Sequence, residues 1–341
     1  MNAAELNATA RALVSEGKGI LAADESHPSI AKRFASVGVE NTAENRRIYR
    51  QMLFTTKGVA DFISGVILYD ETIRQAADDG TPLGRVLSRQ GMLPGIKVDR
   101  GTKPLAGAAG ELITEGLDGL RERLAEYRDL GARFAKWRAV ITIGQGLPTS
   151  ACLDANAHAL ARYAALCQEA GLVPIVEPEV LMDGDHTIER CEAVTKATLH
   201  AVFHELDRQG VVLEGMLLKP SMVLSGSQCP RQASVPEVAQ ATLRCFRRVV
   251  PAAVPGIVFL SGGQRDEVAT AHLNAMNATA GPHPWQLSFS YGRALQAPVL
   301  EAWKGDPGRI AAGQQAFYHR ARCNGAARYG RYTAALEGAV A

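Results

Sequence analysis

The stretch Gly215-Met216-Leu217-Leu218-Lys219-Pro220 reads as a buried β-strand with a lysine at its carboxyl end. Met-Leu-Leu shows no polar alternation, so both faces are expected to be covered, as in a parallel sheet. An ammonium group in such a place is costly unless it is paired or deprotonated. Desolvation and neighbouring cations both push a lysine toward the neutral, nucleophilic amine. The plainer reading is a strand-end lysine whose stem lies along the sheet while its head reaches water. The rest of the chain has to decide between the two.

Similar apolar runs recur on both sides of this strand. They cover 17–23, 65–69, 94–99, 133–138 and 172–179 before it, and 256–263 and 286–293 after it. Helical spacing fills the intervals. Helices are expected over 5–16, from Pro28 to 37, from an N-cap at Thr42 to 56, near 80–90 and over 117–130. Others follow from a cap at Asp154 to 170, then over 187–208, 236–249, 265–279, 296–304 and 307–327. Residues 101–116 read as a glycine-rich loop, and the tail to Ala341 is short and made of small residues. Eight strands alternating with helices imply an α/β fold with a parallel sheet, closed as a TIM (β/α)8 barrel. One domain is expected over 1–341, since no linker interrupts the pattern. No G-x-G-x-x-G follows the first strand, which argues against a dinucleotide fold.

The totals exclude several classes. Lys+Arg number 37 and Asp+Glu 35, a net charge of +2 without a basic tract, so nucleic acid is not an expected partner. No apolar run approaches the roughly 18 residues of a membrane span. The amino terminus carries Glu5 and lacks the apolar core of a signal peptide. Six scattered cysteines, with no C-x-x-C pair, then read as reduced thiols of a cytoplasmic protein.

Charge is distributed unevenly on the strands. Asp24, Lys97, Lys136, Glu177, Glu179 and Lys219 lie at or near strand carboxyl ends, the face where barrel enzymes build their sites. Alternation puts Lys136 and Arg138 on one face of their strand, and Glu177 and Glu179 on one face of theirs. One such charge could be a structural ion pair. Six from five strands are hard to explain that way, because buried charges are expensive. Lys136 supplies a cation that would lower the pKa of Lys219, and Glu177 is a credible general acid/base.

Two segments read as anion sites. Ser261-Gly262-Gly263 joins the seventh strand to a helix expected to start near Gln264, and Gly292-Arg293 ends the eighth strand. Ser26, Ser29, Lys32 and Arg33 sit in the first strand–helix connection. Plain turns would also use such glycines, but two anion sites flanking one lysine point to a substrate with phosphate at both ends. His200 and His204 have i, i+4 spacing, yet there is no H-E-x-x-H. His27, His158, His186, His272, His283 and His319 form no cluster in sequence, so no metal is expected.

At these residues the chain resembles the class I, Schiff-base fructose-1,6-bisphosphate aldolases. The matching pieces include Gly-Lys-Gly-Ile-Leu-Ala-Ala-Asp-Glu-Ser (17–26), Ser-Ile-Ala-Lys-Arg (29–33), Glu-Asn-Arg-Arg-Ile-Tyr-Arg-Gln (44–51) and Gly-Ile-Lys-Val-Asp (95–99). They continue with Phe-Ala-Lys-Trp-Arg (134–138), Pro-Ile-Val-Glu-Pro-Glu (174–179), Leu-Leu-Lys-Pro (217–220), Phe-Leu-Ser-Gly-Gly-Gln (259–264) and Phe-Ser-Tyr-Gly-Arg-Ala-Leu-Gln (289–296). The resemblance implies reversible cleavage of fructose 1,6-bisphosphate to dihydroxyacetone phosphate and glyceraldehyde 3-phosphate, with no cofactor. It implies Lys219 as the Schiff-base lysine, Glu177 as main acid/base, Lys136 and Glu179 as electrostatic support, and Asp24 at the C4 hydroxyl. Ser261, Gly262, Gly263, Gly292 and Arg293 would hold the C1 phosphate. Ser26, Ser29, Arg33, Lys97 and Arg138 would lie toward the C6 phosphate. It also implies a cytosolic homotetramer.

Two departures stand out. His27-Pro28 replaces the small residue and glycine of many relatives, which is expected to stiffen the C6-phosphate loop. The chain ends Glu337-Gly-Ala-Val-Ala341 without the terminal tyrosine of the animal enzymes, so slower proton exchange at the enamine, or a substitute group elsewhere, is expected. The alternatives are another Schiff-base sugar-phosphate lyase or transaldolase, and a non-catalytic sugar-phosphate-binding scaffold.

Overall fold

In the computed structural model, which describes residues 2–338, all eight expected strands form. They are β1 (Gly19–Ala23), β2 (Ile63–Leu68), β3 (Leu93–Lys97), β6 (Phe134–Ile141), β7 (Val173–Val180), β8 (Leu217–Leu218), β9 (Gly256–Phe259) and β10 (Gln286–Tyr291). Between β3 and β6, β4 (Thr102–Pro104) and β5 (Leu112–Thr114) form a separate antiparallel hairpin. The eight pair in parallel in the order β1-β10-β9-β8-β7-β6-β3-β2, and β2 returns to β1, so the barrel is closed. The expected TIM fold is the one observed.

Strand alternation sorts each strand into an inner and an outer row. Ile20, Ala22, Ile67, Phe134, Val173, Ile175, Leu217 and Val258 form the inner apolar cluster, together with Leu6, Ala10, Leu13 and Val14. These last four belong to or follow helix α1 (Ala3–Leu13), which therefore plugs the amino end of the barrel. Glycine makes room for the plug: a Cβ at Gly65 would lie 2.7 Å from Leu13 Cδ2, and one at Gly256 would lie 2.6 Å from Val14 Cγ1. The outer rows pack under the helices in a second, larger cluster. Continuing the inner rows toward the carboxyl ends brings Asp24, Lys136, Glu177 and Lys219 to the top of the barrel.

The strand before the lysine is short for a chemical reason. Lys219 N donates to Val176 O at 2.8 Å, continuing the ladder, but Pro220 has no N–H to follow it. Met216, Leu217 and Leu218 are fully buried, as their composition demanded.

Several expectations need correction. The helix Ser150–Glu169 is capped by Thr149, whose hydroxyl accepts from Cys152 N at 3.2 Å, whereas Asp154 is an exposed residue within it. Glu111 orients that threonine through bonds of 2.6 and 2.7 Å, a contact 38 residues away that no local pattern reveals. The glycine-rich segment holds the β4–β5 hairpin, and β6 runs on to Ile141. A short helix, Asp70–Ile73, was not expected. The chain's last described element is a short helix, Ala335–Gly338; residues 339–341 of the expected tail lie outside the described residues. All six cysteines are buried and unpaired.

Candidate active site

At the carboxyl end of the barrel, Lys136 Nζ lies 2.7 Å from Asp24 Oδ2 and 3.2 Å from Glu177 Oε2. Lys219 Nζ lies 3.4 Å from Glu177 Oε1. The four side chains come from β6, β7 and the ends of β1 and β8, and none is more than 11% exposed. Burial pushes the Asp24 carboxyl up, but Lys136 and Lys219 outweigh it and hold the group well below the usual carboxylate range. Burial likewise opposes the Lys136 ammonium, and Asp24 and Glu177 more than restore it, keeping it above its ordinary value. The sequence reading set Lys136 against Lys219 as a bare cation. The structure instead places one carboxyl group, Glu177, within reach of both lysine nitrogens.

The neighbouring charges are also paired. Arg138 bonds Glu179, and Lys97 bonds Asp99. Burial disfavours the Arg138 cation, while Glu179 raises it above its normal value.

The two anion-site segments follow neighbouring strands, one after β9 and β10 and the other after β1, which pairs with β10. Gly262 and Gly263 have φ of 56° and 99°, a left-handed pair that other residues adopt only with strain. A Cβ at Gly263 would lie 3.2 Å from Arg293 Nη2, so the guanidinium leans over this turn. The helix after the turn starts at Asp266 rather than near Gln264. After β1, helix α2 (His27–Ala35) has Ser26 as its N-cap residue. The Ser26 hydroxyl does not cap the backbone; it lies 3.1 Å from the Ser29 hydroxyl. His27 and Pro28 are simply the first helical residues, where proline is well tolerated. The His27 ring sits 5.5 Å from that of Tyr69, and its Nε2 is 3.4 Å from Glu71. Arg33 bonds Glu25, and its Nη2 is 3.4 Å from where a Cβ at Gly292 would be. It therefore stands beside the Gly292 turn, not simply at the serine end.

One cavity of about 690 Å³ joins these parts, and every candidate catalytic and phosphate-binding residue named from the sequence lines it. Ser227 and Ser290 line it too and were missed. So was the layer beneath it. Glu25 accepts from Gln296 Nε2 at 2.8 Å, its backbone carbonyl accepts from Arg50 Nη2 at 3.0 Å, and Tyr49 donates to Gln296 Oε1 at 3.0 Å. Arg50 is fully buried. Its segment, 44–51, carries part of the resemblance, which was the available signal. Away from the cavity, His319, Cys323 and Glu337 bring ligand-type atoms within 4.8 Å of one another. A reading confined to histidines could not see this. The Glu337 oxygens are already occupied by Arg320 Nη1 at 2.6 and 2.5 Å.

The fructose-bisphosphate aldolase class-I family model matches residues 5–341. The chain belongs to this family. The aldolase is 60% identical to the probable fructose-bisphosphate aldolase class 1 of Xanthomonas campestris, covering 97% of this chain and 99% of that one. It is 54% identical to fructose-bisphosphate aldolase 1 of Toxoplasma gondii, with 99% and 94% covered, and 52% identical to rat aldolase C, with 99% and 93% covered. A crystal structure of Plasmodium falciparum aldolase, in complex with TRAP and a small-molecule inhibitor, superposes with a TM-score of 0.96 at 51% identity, covering 97% of this chain and 96% of that one. The aldolase is thus a lyase that reversibly cleaves fructose 1,6-bisphosphate to two triose phosphates through a lysine Schiff base.

Proposed function

We propose that Lys219 is the lysine that forms this Schiff base and that the cavity around it binds the open-chain sugar bisphosphate. The observation that carries the reading is the Glu177 carboxylate, 3.4 Å from the Lys219 nitrogen and 3.2 Å from that of Lys136. The Lys219 amine adds to the C2 carbonyl. Glu177 relays the protons that the nitrogen sheds to the former carbonyl oxygen, which leaves as water and yields the iminium. The C3–C4 bond then breaks, and its electron pair flows into the iminium to form an enamine. Asp24, held ionised by Lys136, orients the C4 hydroxyl and draws on its proton as the aldehyde forms. Protonation of the enamine at C3 and hydrolysis release dihydroxyacetone phosphate and the free lysine. Glu179, pinned by Arg138, supports the field around Glu177.

The same reading places the C1 phosphate at Ser261, Gly262, Gly263, Gly292 and Arg293. The C6 phosphate goes to Ser26, Ser29, Lys97 and Arg138, with Arg33 between the two ends. Backbone N–H groups at glycine turns and serine hydroxyls suit phosphate oxygens. Reduction by borohydride in the presence of dihydroxyacetone phosphate, followed by peptide mapping, is expected to find the adduct on Lys219. An adduct on another lysine would overturn the assignment. Because the iminium is the electron sink, cleavage is expected to run at full rate in EDTA; a rate restored only by zinc would contradict the scheme.

The serine end makes a separate prediction. Ser26→Ala/Ser29→Ala should raise KM for fructose 1,6-bisphosphate about tenfold, in line with two lost charge-assisted bonds, and leave fructose 1-phosphate cleavage unchanged. Wild-type rates on the two sugars that are already equal would count against a working C6-phosphate site. We also propose that the chain works as a homotetramer in the cytoplasm. Among the described residues no helix is long and apolar enough to cross a membrane. Light scattering that returned the mass of one chain would refute the tetramer.

A further inference from the structure

A second cavity, of about 910 Å³, adjoins the first and shares the walls Ser26, Ser29, Lys97 and Arg138 with it. Its far side is built from the residues after β3, from the mouth of the β4–β5 hairpin and from the helix Leu120–Asp129. The fructose bisphosphate reading uses the shared wall for the C6 phosphate but gives the far side, with Arg100 and Arg123, no task.

Its charge is unbalanced. Five cations line it: Arg74, Lys97, Arg100, Arg123 and Arg138. Three are neutralised by carboxylates, Arg74 by Asp70 at 2.9 Å, Lys97 by Asp99 and Arg138 by Glu179. Among the described residues no carboxylate oxygen lies within 4.0 Å of the side-chain nitrogens of Arg100 or Arg123. Arg123 is nevertheless held in place. Its Nη1 donates to Val98 O at 2.9 Å and its Nη2 to Gly116 O. Carbonyl oxygens orient a guanidinium without cancelling its charge, so the wall that Arg123 lines keeps a positive charge without a counter-ion. Arg100 is exposed, and its backbone is fixed by a bond from its N to Glu115 O at 2.8 Å. The loop is tight there: a Cβ at Gly116, whose φ is 128°, would come within 2.9 Å of Arg100 N.

Two guanidinium groups without carboxylates, Arg100 on the loop after β3 and Arg123 on the helix Leu120–Asp129 that grips that loop, line one cavity and are suited to bidentate contact with phosphate oxygens. We propose that this cavity binds a small phosphorylated anion other than the sugar bisphosphate, held by Arg100 and Arg123 and lying against the serine end of the substrate site.

The probe is inorganic pyrophosphate, titrated calorimetrically into the full chain. Arg100→Gln is expected to weaken binding about 3- to 10-fold, and Arg100→Gln/Arg123→Gln more than tenfold, consistent with charge-assisted bonds. Arg100→Gln should leave kcat and KM for fructose 1,6-bisphosphate within twofold of wild type. Pyrophosphate affinity equal to wild type in the double variant would overturn the proposal, since the anion would then occupy the substrate cleft. A KM that rises in step with the pyrophosphate Kd in Arg100→Gln would overturn it too, because the guanidinium would then be serving the substrate. Arg123 holds two loop carbonyls and its loss can loosen the loop. The single variant alters an exposed side chain that no described carboxylate pairs with, so it decides the question if the double variant unfolds.

Discussion

Lys219→Ala is expected to lower the cleavage rate by on the order of 10⁴-fold or more while the barrel stays folded. The rate should fall this far because the amine is the reacting group, and no arrangement of the remaining residues supplies another covalent electron sink. The fold should survive because Glu177 keeps Lys136 as a counter-ion at 3.2 Å when Lys219 is gone, so no buried carboxylate is left unpaired. Circular dichroism and a denaturant melt check the fold, and a coupled assay for the triose phosphates checks the rate. Borohydride in the presence of dihydroxyacetone phosphate should then trap nothing. Cleavage within tenfold of wild type, or an adduct on Lys136, would remove Lys219 from the mechanism.

Lys136→Met is expected to damage both activity and stability, and stability in a pH-dependent way. Lys136 is the cation common to Asp24 and Glu177, and none of the three side chains is more than 11% exposed. Removing one partner from a buried ionic cluster typically costs about 3–5 kcal/mol. In the wild type the Asp24 carboxyl is held below its ordinary value of 3.8, so its ionisation contributes stability above about pH 4 that is lost as the pH falls below that value. In Lys136→Met the largest influence left is burial, which raises the carboxyl instead. The variant therefore gains relative stability as the pH falls and Asp24 takes up a proton. Urea unfolding at pH 7 and near pH 4.5 should show the gap between variant and wild type narrowing at the lower value. A gap independent of pH would mean that Asp24 does not depend on Lys136. Cleavage should fall on the order of 10²-fold or more, since Asp24 and Glu177 would both lose the cation that fixes their position and charge.

The two predictions draw on different levels of the molecule. Lys219 was legible because a charged residue at the end of an uninterrupted apolar strand is locally anomalous. Alternation along a strand is also local, so Lys136 with Arg138, and Glu177 with Glu179, could be placed on common faces before any barrel was built. The Gly262-Gly263 turn was legible for the same reason: the left-handed backbone of both residues favours glycine.

What could not be read were contacts made across the fold. Thr149 replaces Asp154 as a cap because Glu111, on another segment, holds it. The β4–β5 hairpin lacks the alternating apolar pattern of a strand and forms through its own ladder over a glycine-rich stretch. The Glu25–Arg50–Gln296 layer joins residues 25 to 271 positions apart, each of which looks ordinary in its own neighbourhood. The second cavity is of this kind as well: which arginines keep a counter-ion and which do not depends on distances between loops.

The sequence by itself determined the alternating strand and helix order, the carboxyl-end position of the charges, and through its motifs the family, because strand periodicity, glycine conformation and the cost of burying charge all act over a few residues. Only the tertiary structure decided that Lys136 and Lys219 share Glu177, that Arg33 stands at the Gly292 turn, and that Arg100 and Arg123 are left without carboxylates. Electrostatic pairing depends on separations of a few ångströms between segments far apart in the chain, and barrel closure sets those separations.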